Sequence, residues 1–468
     1  MMFNKYISIF KRFTLTLSFI PLALMSGSQT LLPSSFNSDT LLSKANSPYL
    51  IQGNLTTGTG TVLQIEAGTI IKFDAGASLT VKGKLFATGT LADSIYFISN
   101  NASTWQRINS SAADIDLKYC HFKGGSMLLW ASGGNNISVT NCVIESKATG
   151  SGEDCIAVHD AARVFIDSIR LTGMGGKISQ GSKNDAVDLD NVDSCFVLNS
   201  IISHFSDDGV DIGTSSKYAL IAGNQISYCN YGTTVGETSP AYLENNIFSY
   251  NDAGIQVHNH AVIYANYNTI YHNTWGIECY HSEEGSAQTG GTAFVQNTIF
   301  SANAQSEILT QSSSSLTISY SISDDEVLPG NHNIGGDPKL TDPEHNDFSL
   351  QETSPCIGAG SPGQDGMATN MGAWGGSRGT PVTNLKSPKN IIRILAYPNP
   401  TTGEVFIETS PVGCPQEIGL YNYQGKLLFT RTNHENQFVL DLSSFPSGMF
   451  WLRISAGSKH GLVPLIKE

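Results

Sequence analysis

The sequence predicts an all-β protein, in which a parallel β-solenoid is followed by a small β-sandwich. Three observations favour this fold class. The chain has 46 glycines among 468 residues and only 14% charged residues, a composition typical of proteins with many turns and few surface helices. Short alternating segments recur through the middle of the chain. No stretch shows the 3.6-residue apolar period of an amphipathic helix.

The first residues have the arrangement of an export signal. Lys5, Lys11 and Arg12 precede the apolar run FTLTLSFIPLALM, and the small residues SGSQT follow it. This run is shorter than the ~20 residues that a membrane-spanning helix needs. We therefore predict a cleaved signal peptide over residues 1–28, an N-terminal lead-in over residues 29–49, and no transmembrane segment in the chain.

The repeat becomes clear when the first apolar residue of each recurring segment is used as its register. The last four steps between these residues are 23, 23, 22 and 22. Each segment alternates apolar and polar residues, as in VDLD, which is the period of a half-buried strand. Coils of this length stack about 4.8 Å apart in a solenoid. The register residues are Ile156, Val187, Val210, Thr233, Ile255 and Ile277.

Asparagines and cysteines also recur with the repeat. We interpret the asparagines as an inward ladder at a turn, in which each side chain bonds its counterparts in the coils above and below. We interpret the cysteines as stacked free thiols in the core, with disulfides as the alternative in an exported protein. The asparagines are Asn141, Asn199, Asn224, Asn245, Asn268 and Asn297, and the cysteines are Cys120, Cys142, Cys195, Cys229 and Cys279.

The two ends of the repeat region resemble a known family. The stretch GNLTTGTGTVLQIEAGTIIKFDAGASLTVKG, within residues 50–108, is similar to the opening coils of bacterial right-handed parallel β-helix proteins. The stretch GDPKLTDPEHNDFSLQETSPCIGAG, at residues 336–360, resembles the segment that closes such helices. The resemblance implies a right-handed, single-stranded parallel β-helix over residues 50–378, and it indicates fold more than function.

The end of the chain has a different character. Residues 379–390 are a linker rich in Gly, Ser, Pro and Asn. Residues 391–468 contain short alternating strands between Pro and Gly turns, as expected of a small β-sandwich. YPNPTTGEVFIET, YNYQGK, SGMF and the final apolar-basic strand resemble the C-terminal sorting domain of the type IX secretion system of Bacteroidetes. This resemblance implies export through the periplasm by that machinery, removal of the tail, and release or attachment at the outer-membrane surface.

The charge of the chain limits its partners. A formal net charge of -14 excludes nucleic acid, because nothing could neutralise a run of phosphates. It favours metal cations, or acidic polymers that are bound through a cation.

Aspartates cluster on one predicted face. In the register above, Asp188 and Asp211 lie one coil apart and point outward. Carboxylates this close repel each other by about 1 kcal/mol per pair in water. A Ca²⁺ ion, which takes about six to eight oxygen ligands, would reverse that repulsion. Solvated aspartates at β-turns are the alternative. The predicted ligands are Asp185, Asp188, Asp207, Asp208 and Asp211, with Asp190 nearby.

The aspartate arrangement also looks like the calcium site of β-helix pectate lyases. In that family an Asn/Ser-Asp-Asp-Gly-x-Asp stretch and an aspartate one coil earlier bind the metal. Asp207, Asp208, Asp211 and Asp185 match this pattern. The resemblance implies that calcium neutralises a uronate carboxylate, while a basic side chain removes the neighbouring ring proton in a β-elimination.

The sequence departs from the lyase pattern at the base. That base is usually a Lys or Arg on a later coil, but neither residue occurs between Lys217 and Lys339. The candidate bases are His258, on the outward side of a later coil, and Lys177 and Lys183, before the first acidic coil. The candidate substrate contacts are Trp275, Tyr280 and His159.

Two functions from different classes follow. The first hypothesis is a monomeric secreted or surface-attached protein that binds an acidic polysaccharide or surface glycan through Ca²⁺ without cleaving it. The second is a calcium-dependent polysaccharide lyase. Glycoside hydrolysis or epimerisation is the remaining alternative. The absence of a Lys or Arg on the later coils favours the first hypothesis.

Overall fold

The structure is a computed structural model. It describes residues 29–147, 152–174, 183–237, 240–281, 289–311, 313–362, 368–373, 375, 394–397, 401–409, 416–422, 427–446, 448–456 and 459–467. The predicted signal peptide (1–28), the predicted linker (379–390) and Lys177 lie outside the described residues.

The main body is a solenoid in which each coil contributes short parallel strands to three faces. Side chains alternate between the interior and the outside because successive residues of a strand point in opposite directions. In the part of the chain that the structure describes, face 1 contains fourteen strands. They are Thr30–Leu31, Tyr49–Ile51, Ile70–Phe73, Ile95–Ser99, Cys120–Gly125, Val143–Ser146, Arg170–Thr172, Ile201–Ser203, Gln225–Ser227, Ile247–Ser249, Thr269–Tyr271, Ile299–Ser301, Ile322–Ser323 and Ile334–Gly335.

Faces 2 and 3 are joined by two long strands, Leu129–Thr140 and Ile156–Asp167, which run from one face into the other. The remaining strands of face 2 are Ser35–Phe36, Asn54–Thr57, Ser78–Val81, Ile108–Ser111, Val187–Asp190, Asp208–Ile212, Tyr231–Val235, Ala253–His258, Trp275–Tyr280 and Ser306–Thr310. Those of face 3 are Thr40–Leu42, Val62–Ile65, Lys84–Thr88, Asp114–Lys118, Ser194–Leu198, Ala219–Ala222, Pro240–Glu244, Val262–Asn266, Thr292–Gln296 and Ser315–Ser319.

The solenoid begins earlier than the sequence pattern indicated. Strands in residues 29–49, predicted only as a lead-in, already pair with the next coil: Thr30 lies opposite Tyr49, Ser35 opposite Thr56, and Thr40 opposite Leu63. The strands are only two or three residues long, so they are too short to show an alternating period in the sequence.

The interior is one continuous apolar core from Leu42 to Leu328. Equivalent residues of neighbouring coils stack directly, as the rings of Phe97 and Phe122 do at 4.7 Å between centroids. The described cysteines are buried and unpaired, which confirms the prediction of free thiols for this part of the chain.

The asparagines of the predicted ladder fall into two columns rather than one. Asn224 donates to Asn246 Oδ1 at 3.0 Å, and Asn246 donates to Asn268 Oδ1 at 3.1 Å, inside the turn before face 1. Asn199 and Asn245 stand one position earlier, with φ of 47° and 55°. Asparagine tolerates this left-handed conformation better than most residues. The prediction therefore merged an interior ladder with a turn position.

The segment that follows the last coil packs along the outside of face 1. Its hairpin, Leu340–Asp342 with Asp347–Leu350, encloses a 3₁₀ turn at Pro343–His345. Glu344 in that turn accepts hydrogen bonds from the hydroxyls of Tyr250 and Tyr271 at 3.0 and 2.9 Å. The apolar residues buried in this contact are Ile247, Tyr271, Ile299, Ile322, Leu340, Phe348, Cys356, Met371 and Ala373.

The C-terminal part contains two antiparallel sheets that share one apolar core, as expected of a small β-sandwich. The only other 3₁₀ turn in the described part of the chain is Lys44–Asn46. No helix in the residues that the structure describes is long and apolar enough to cross a bilayer. The first sheet contains the strands Ile394–Tyr397, Glu404–Thr409 and Gln437–Asp441. The second contains Gln416–Asn422, Leu427–Asn433, Gly448–Ala456 and Lys459–Lys467.

Candidate metal centre

The centre lies on the outer side of face 2, where the predicted register is confirmed. Asp188 lies directly opposite Asp211 in the parallel ladder. The same outward column continues to Ala157 on the preceding coil and Thr234 on the following one. The two aspartates therefore come within one strand spacing of each other, about 4.8 Å.

A second column of aspartates stands at the entrance of these strands. The backbone N–H of Asp185 donates to Asp154 Oδ1 at 2.8 Å, and the N–H of Asp208 donates to Asp185 Oδ1 at 2.7 Å. Each carboxylate thus accepts the N–H of the next coil. Asp154 was not among the predicted ligands.

This chain of hydrogen bonds stops at Asp208. The next residue in the column is Tyr231, and its N–H donates to the backbone oxygen of Asp207 instead. Asp208 is only 6% exposed, and its Oδ1 atom is buried without a hydrogen-bond partner. A buried carboxylate oxygen with no donor is costly, and a cation is the partner that carboxylates accept in such places.

The ligand atoms of this region converge in three overlapping groups, each with its atoms within 4.8 Å of one another. Two of the groups are made entirely of carboxylates and share Asp185. They are built from two adjacent coils and offer only oxygen donors. The groups are Asp185, Asp207 and Asp208; Asp185, Asp188 and Asp211; and His159, Asp188 and Asp190.

Burial and mutual repulsion disfavour the charged form of these carboxyls. Burial raises the pKa of Asp154 to about 6. It also raises the pKa of Asp185, Asp208 and Asp211 well above the usual range, and neighbouring aspartates add to each shift. The pKa of Asp207 is raised by burial, while the Lys183 ammonium opposes that shift. A divalent cation would stabilise the ionised forms, so the electrostatics fit the oxygen donor set.

The glycine of the Asp-Asp-Gly stretch is explained by packing. A Cβ on Gly209 would lie 2.6 Å from the backbone oxygen of Gly232 and 2.2 Å from the Ile226 side chain. The same close approach repeats at Gly232 and Gly254, which follow Gly209 on the next two coils. The glycines allow the strand entrances to stack tightly.

His159, predicted as a substrate contact, lies at the edge of the cluster. Its Nε2 is 3.4 Å from Asp188 Oδ2, and its Nδ1 is 3.4 Å from Asp190 Oδ2. The hydrogen bond and charge of Asp188 raise the pKa of His159. The ring is one third exposed. Its charged neighbours are these two aspartates.

The predicted bases stand apart from one another. His258 lies two coils beyond Asp211, about 10 Å along the stack. Its ring rests on Gly236, where a Cβ would come within 2.5 Å of it. Burial lowers the pKa of His258, so the imidazole is neutral at pH 7. Lys183 is exposed and acts on Asp207.

The predicted aromatic contacts lie farther along face 2. Tyr280 packs on His258 with ring centroids 5.3 Å apart, and its hydroxyl donates to Gln256 at 3.2 Å. Trp275 occupies the column of Asp208 but lies three coils beyond it, about 14 Å away. Neither ring belongs to the acidic cluster, and their role in substrate binding stays a prediction.

The structure brings two further residues onto this face that the sequence did not single out. Trp130 stands two coils before Asp188 in the same outward column, and the Arg107 guanidinium lies 6.0 Å from its ring centroid. The steps of 27 and 31 residues that separate these coils hid them from a search for a constant period.

With the fold and the cluster described, comparison with known families identifies two parts of the chain. Residues 177–319 match the family model described as the right handed beta helix region. The solenoid is a right-handed β-helix. The match includes every predicted metal ligand, but it describes a fold and assigns no chemistry to the β-helix. No curated protein matches the chain by sequence.

Residues 395–468 match the family model of the secretion system C-terminal sorting domain. This confirms the resemblance drawn from the YPNP and YNYQGK motifs. The protein is therefore exported by type IX secretion, to the cell surface or into the medium.

Proposed function

We propose that the β-helix binds an acidic polysaccharide at the cell surface, through Ca²⁺ held by the aspartates of face 2. The observation that carries this proposal is the convergence of carboxylates from two adjacent coils around a buried Asp208 oxygen that has no partner. Oxygen-only donor sets of this kind suit Ca²⁺ rather than Zn²⁺, which prefers nitrogen and sulfur ligands.

The charge of the protein explains why a cation would be needed. A chain of net charge -14 repels a polyuronate, and the acidic face repels it most strongly. Calcium shared between Asp188, Asp211 and a sugar carboxylate would turn this repulsion into a contact. Binding without cleavage is the function we place first, since no Lys or Arg lies on the later coils of face 2.

A lyase is the second candidate, and the observation that favours it is the position of His258. Its neutral ring lies on the same face as the aspartates, where it rests on Gly236. A neutral imidazole can accept a proton. Bound calcium would supply the polarisation of the uronate carboxylate that makes the neighbouring ring proton acidic.

The two candidates are separated by one experiment with the full-length protein. Polygalacturonate, alginate and glycosaminoglycan polymers are each mixed with the protein, once with calcium and once with chelator. Calcium-dependent binding with no new absorbance from unsaturated sugar ends supports a binding protein. Appearance of that absorbance, and its loss in His258→Ala, supports the lyase. Absence of calcium-dependent binding to every polymer contradicts both.

A further inference from the structure

Trp130 is one of the few large apolar residues exposed on face 2. It is 39% exposed, and it lies about 10 Å from Asp188 along the stack, with Ala157 between them. Because Ala157 has only a methyl group, no long side chain fills the outward column between the indole and the acidic cluster. Ala157 itself is only 2% exposed, so the accessible groups of this column are the indole and the carboxylates on either side of it.

The indole differs from the other exposed aromatic residues of the β-helix. On face 3, the rings of Tyr242, Tyr264 and Phe294 stack on one another at 5.2 and 5.3 Å, nearly parallel. Tyr264 is therefore covered on both faces by its neighbours. Among the described residues no other aromatic ring stacks on Trp130, so its ring can still receive a flat apolar surface.

Among the described residues, Arg107 beside this ring has polar contacts only with neutral groups. Its Nε donates to Asn109 Oδ1 at 2.8 Å, its Nη1 donates to Met127 Sδ at 3.1 Å, and its Cζ lies 6.0 Å from the Trp130 ring centroid. In the described part of the chain no carboxylate forms an ion pair with it. In a protein of net charge -14, a half-buried guanidinium without a carboxylate partner is suited to an anion from outside.

We propose that Trp130 and Arg107 form a saccharide subsite for an acidic polysaccharide, on the N-terminal side of the cation site. The apolar C–H face of one sugar ring packs on the indole, and its carboxylate pairs with the guanidinium. This inference rests on the proposed function and adds the direction in which the bound glycan lies. The glycan would run along face 2 from the aspartates towards the earlier coils.

The test uses galacturonate oligomers of defined length, titrated calorimetrically into the full-length protein with calcium. Trp130→Ala is expected to weaken binding of oligomers of about three or more units by roughly tenfold. Oligomers too short to span the ~10 Å from Asp188 should be unaffected. Arg107→Gln is expected to weaken the longer oligomers by a similar factor, and Trp130→Phe should retain most of the affinity.

Tyr264→Ala on face 3 is the matched control, because Tyr264 is 44% exposed and lies on another face. It should bind every oligomer as the wild type does. Equal affinity of wild type and Trp130→Ala for long oligomers overturns the subsite and leaves the proposed function intact. If the wild type binds neither these oligomers nor those of alginate and glycosaminoglycans with calcium, both are overturned. Calcium affinity itself should be the same in Trp130→Ala, which separates loss of the subsite from loss of the fold.

Discussion

The Asp208 carboxylate lacks the backbone N–H donor that the equivalent aspartates on the two preceding coils have. Asp154 and Asp185 each accept the backbone N–H of the next coil, but the N–H of Tyr231 is directed to the oxygen of Asp207. This local change in hydrogen bonding leaves a buried oxygen free to coordinate a cation. The structural basis of the candidate site is therefore a backbone feature as much as a set of acidic side chains.

Replacing Asp208 by asparagine should have opposite effects with and without calcium. In chelator at pH 8, Asp208→Asn removes a buried charge beside Asp185 and Asp211 and should raise the free energy of unfolding by about 1 kcal/mol or more. In calcium the wild type should be the more stable, because only it keeps the full ligand set. Urea unfolding measures both values. Glu352→Gln, at an exposed carboxylate in the segment after the last coil, should change neither, and the same order in both buffers would contradict the site.

A buried carboxyl outside the cluster should make stability depend on pH. Glu307 is 5% exposed, and burial, together with the charges of Asp324 and Asp325, raises its pKa to about 7. Ionising it in the folded state is unfavourable, so its contribution to stability is lost as pH rises from about 4.5 to 7. Glu307→Gln should match the wild type near pH 4 and exceed it by up to about 3 kcal/mol at pH 8. Urea unfolding across this range is the measurement, and an equal difference at both pH values would contradict the assignment.

Sequence reasoning at the residue scale succeeded where the repeat has a constant length. Asp188 and Asp211 are separated by 23 residues, and their pairing followed directly from the register. Trp130 precedes loops that lengthen the coils between it and Asp188, so spacing alone could not reveal that it adjoins the cluster. The unpaired Oδ1 atom of Asp208 could not be predicted from the sequence either, because it depends on the direction of the Tyr231 N–H bond.

At the scale of the element, face 2 depends on glycines that let successive coils approach closely. Gly209→Ala places a methyl group 2.2 Å from the Ile226 side chain and 2.6 Å from the Gly232 oxygen. We expect it to lower the free energy of unfolding by about 1–3 kcal/mol, the usual range for overpacking. The matched change Gly53→Ala meets nothing within 4 Å and should be nearly neutral. Thermal melting in chelator compares the two, and similar melting temperatures would show that the coils are not packed this tightly.

The asparagine ladder shows how far a pattern predicts an element. Adjacent asparagines, as in Asn245-Asn246, occupy an outer left-handed position and an inner hydrogen-bonding position. The recurring Asn-x-Ile pattern cannot tell these two positions apart when only one asparagine is present. The register of the strands was correct because alternation of apolar residues carries that information, whereas a turn is decided by backbone angles that no periodicity displays.

At the scale of the whole molecule, the β-helix and the sorting domain have separate tasks. The chain without residues 395–468 should lack the signal that directs it across the outer membrane. We expect the truncated protein to accumulate in the periplasm, whereas the full-length protein reaches the surface or the medium. Cell fractionation and protease digestion of intact cells measure the distribution. Equal surface or medium levels of both forms would contradict the role of the tail.

The most direct test of the account is a calorimetric titration of Ca²⁺ into the full-length protein at pH 7.5. It compares the wild type with Asp208→Asn and with Asp211→Asn. The account predicts saturable calcium binding by the wild type, strongly weakened in both variants and unchanged in the control Glu352→Gln. Absence of calcium binding by the wild type, or equal binding by all four proteins, would contradict the central claim that the aspartates of face 2 form a calcium site.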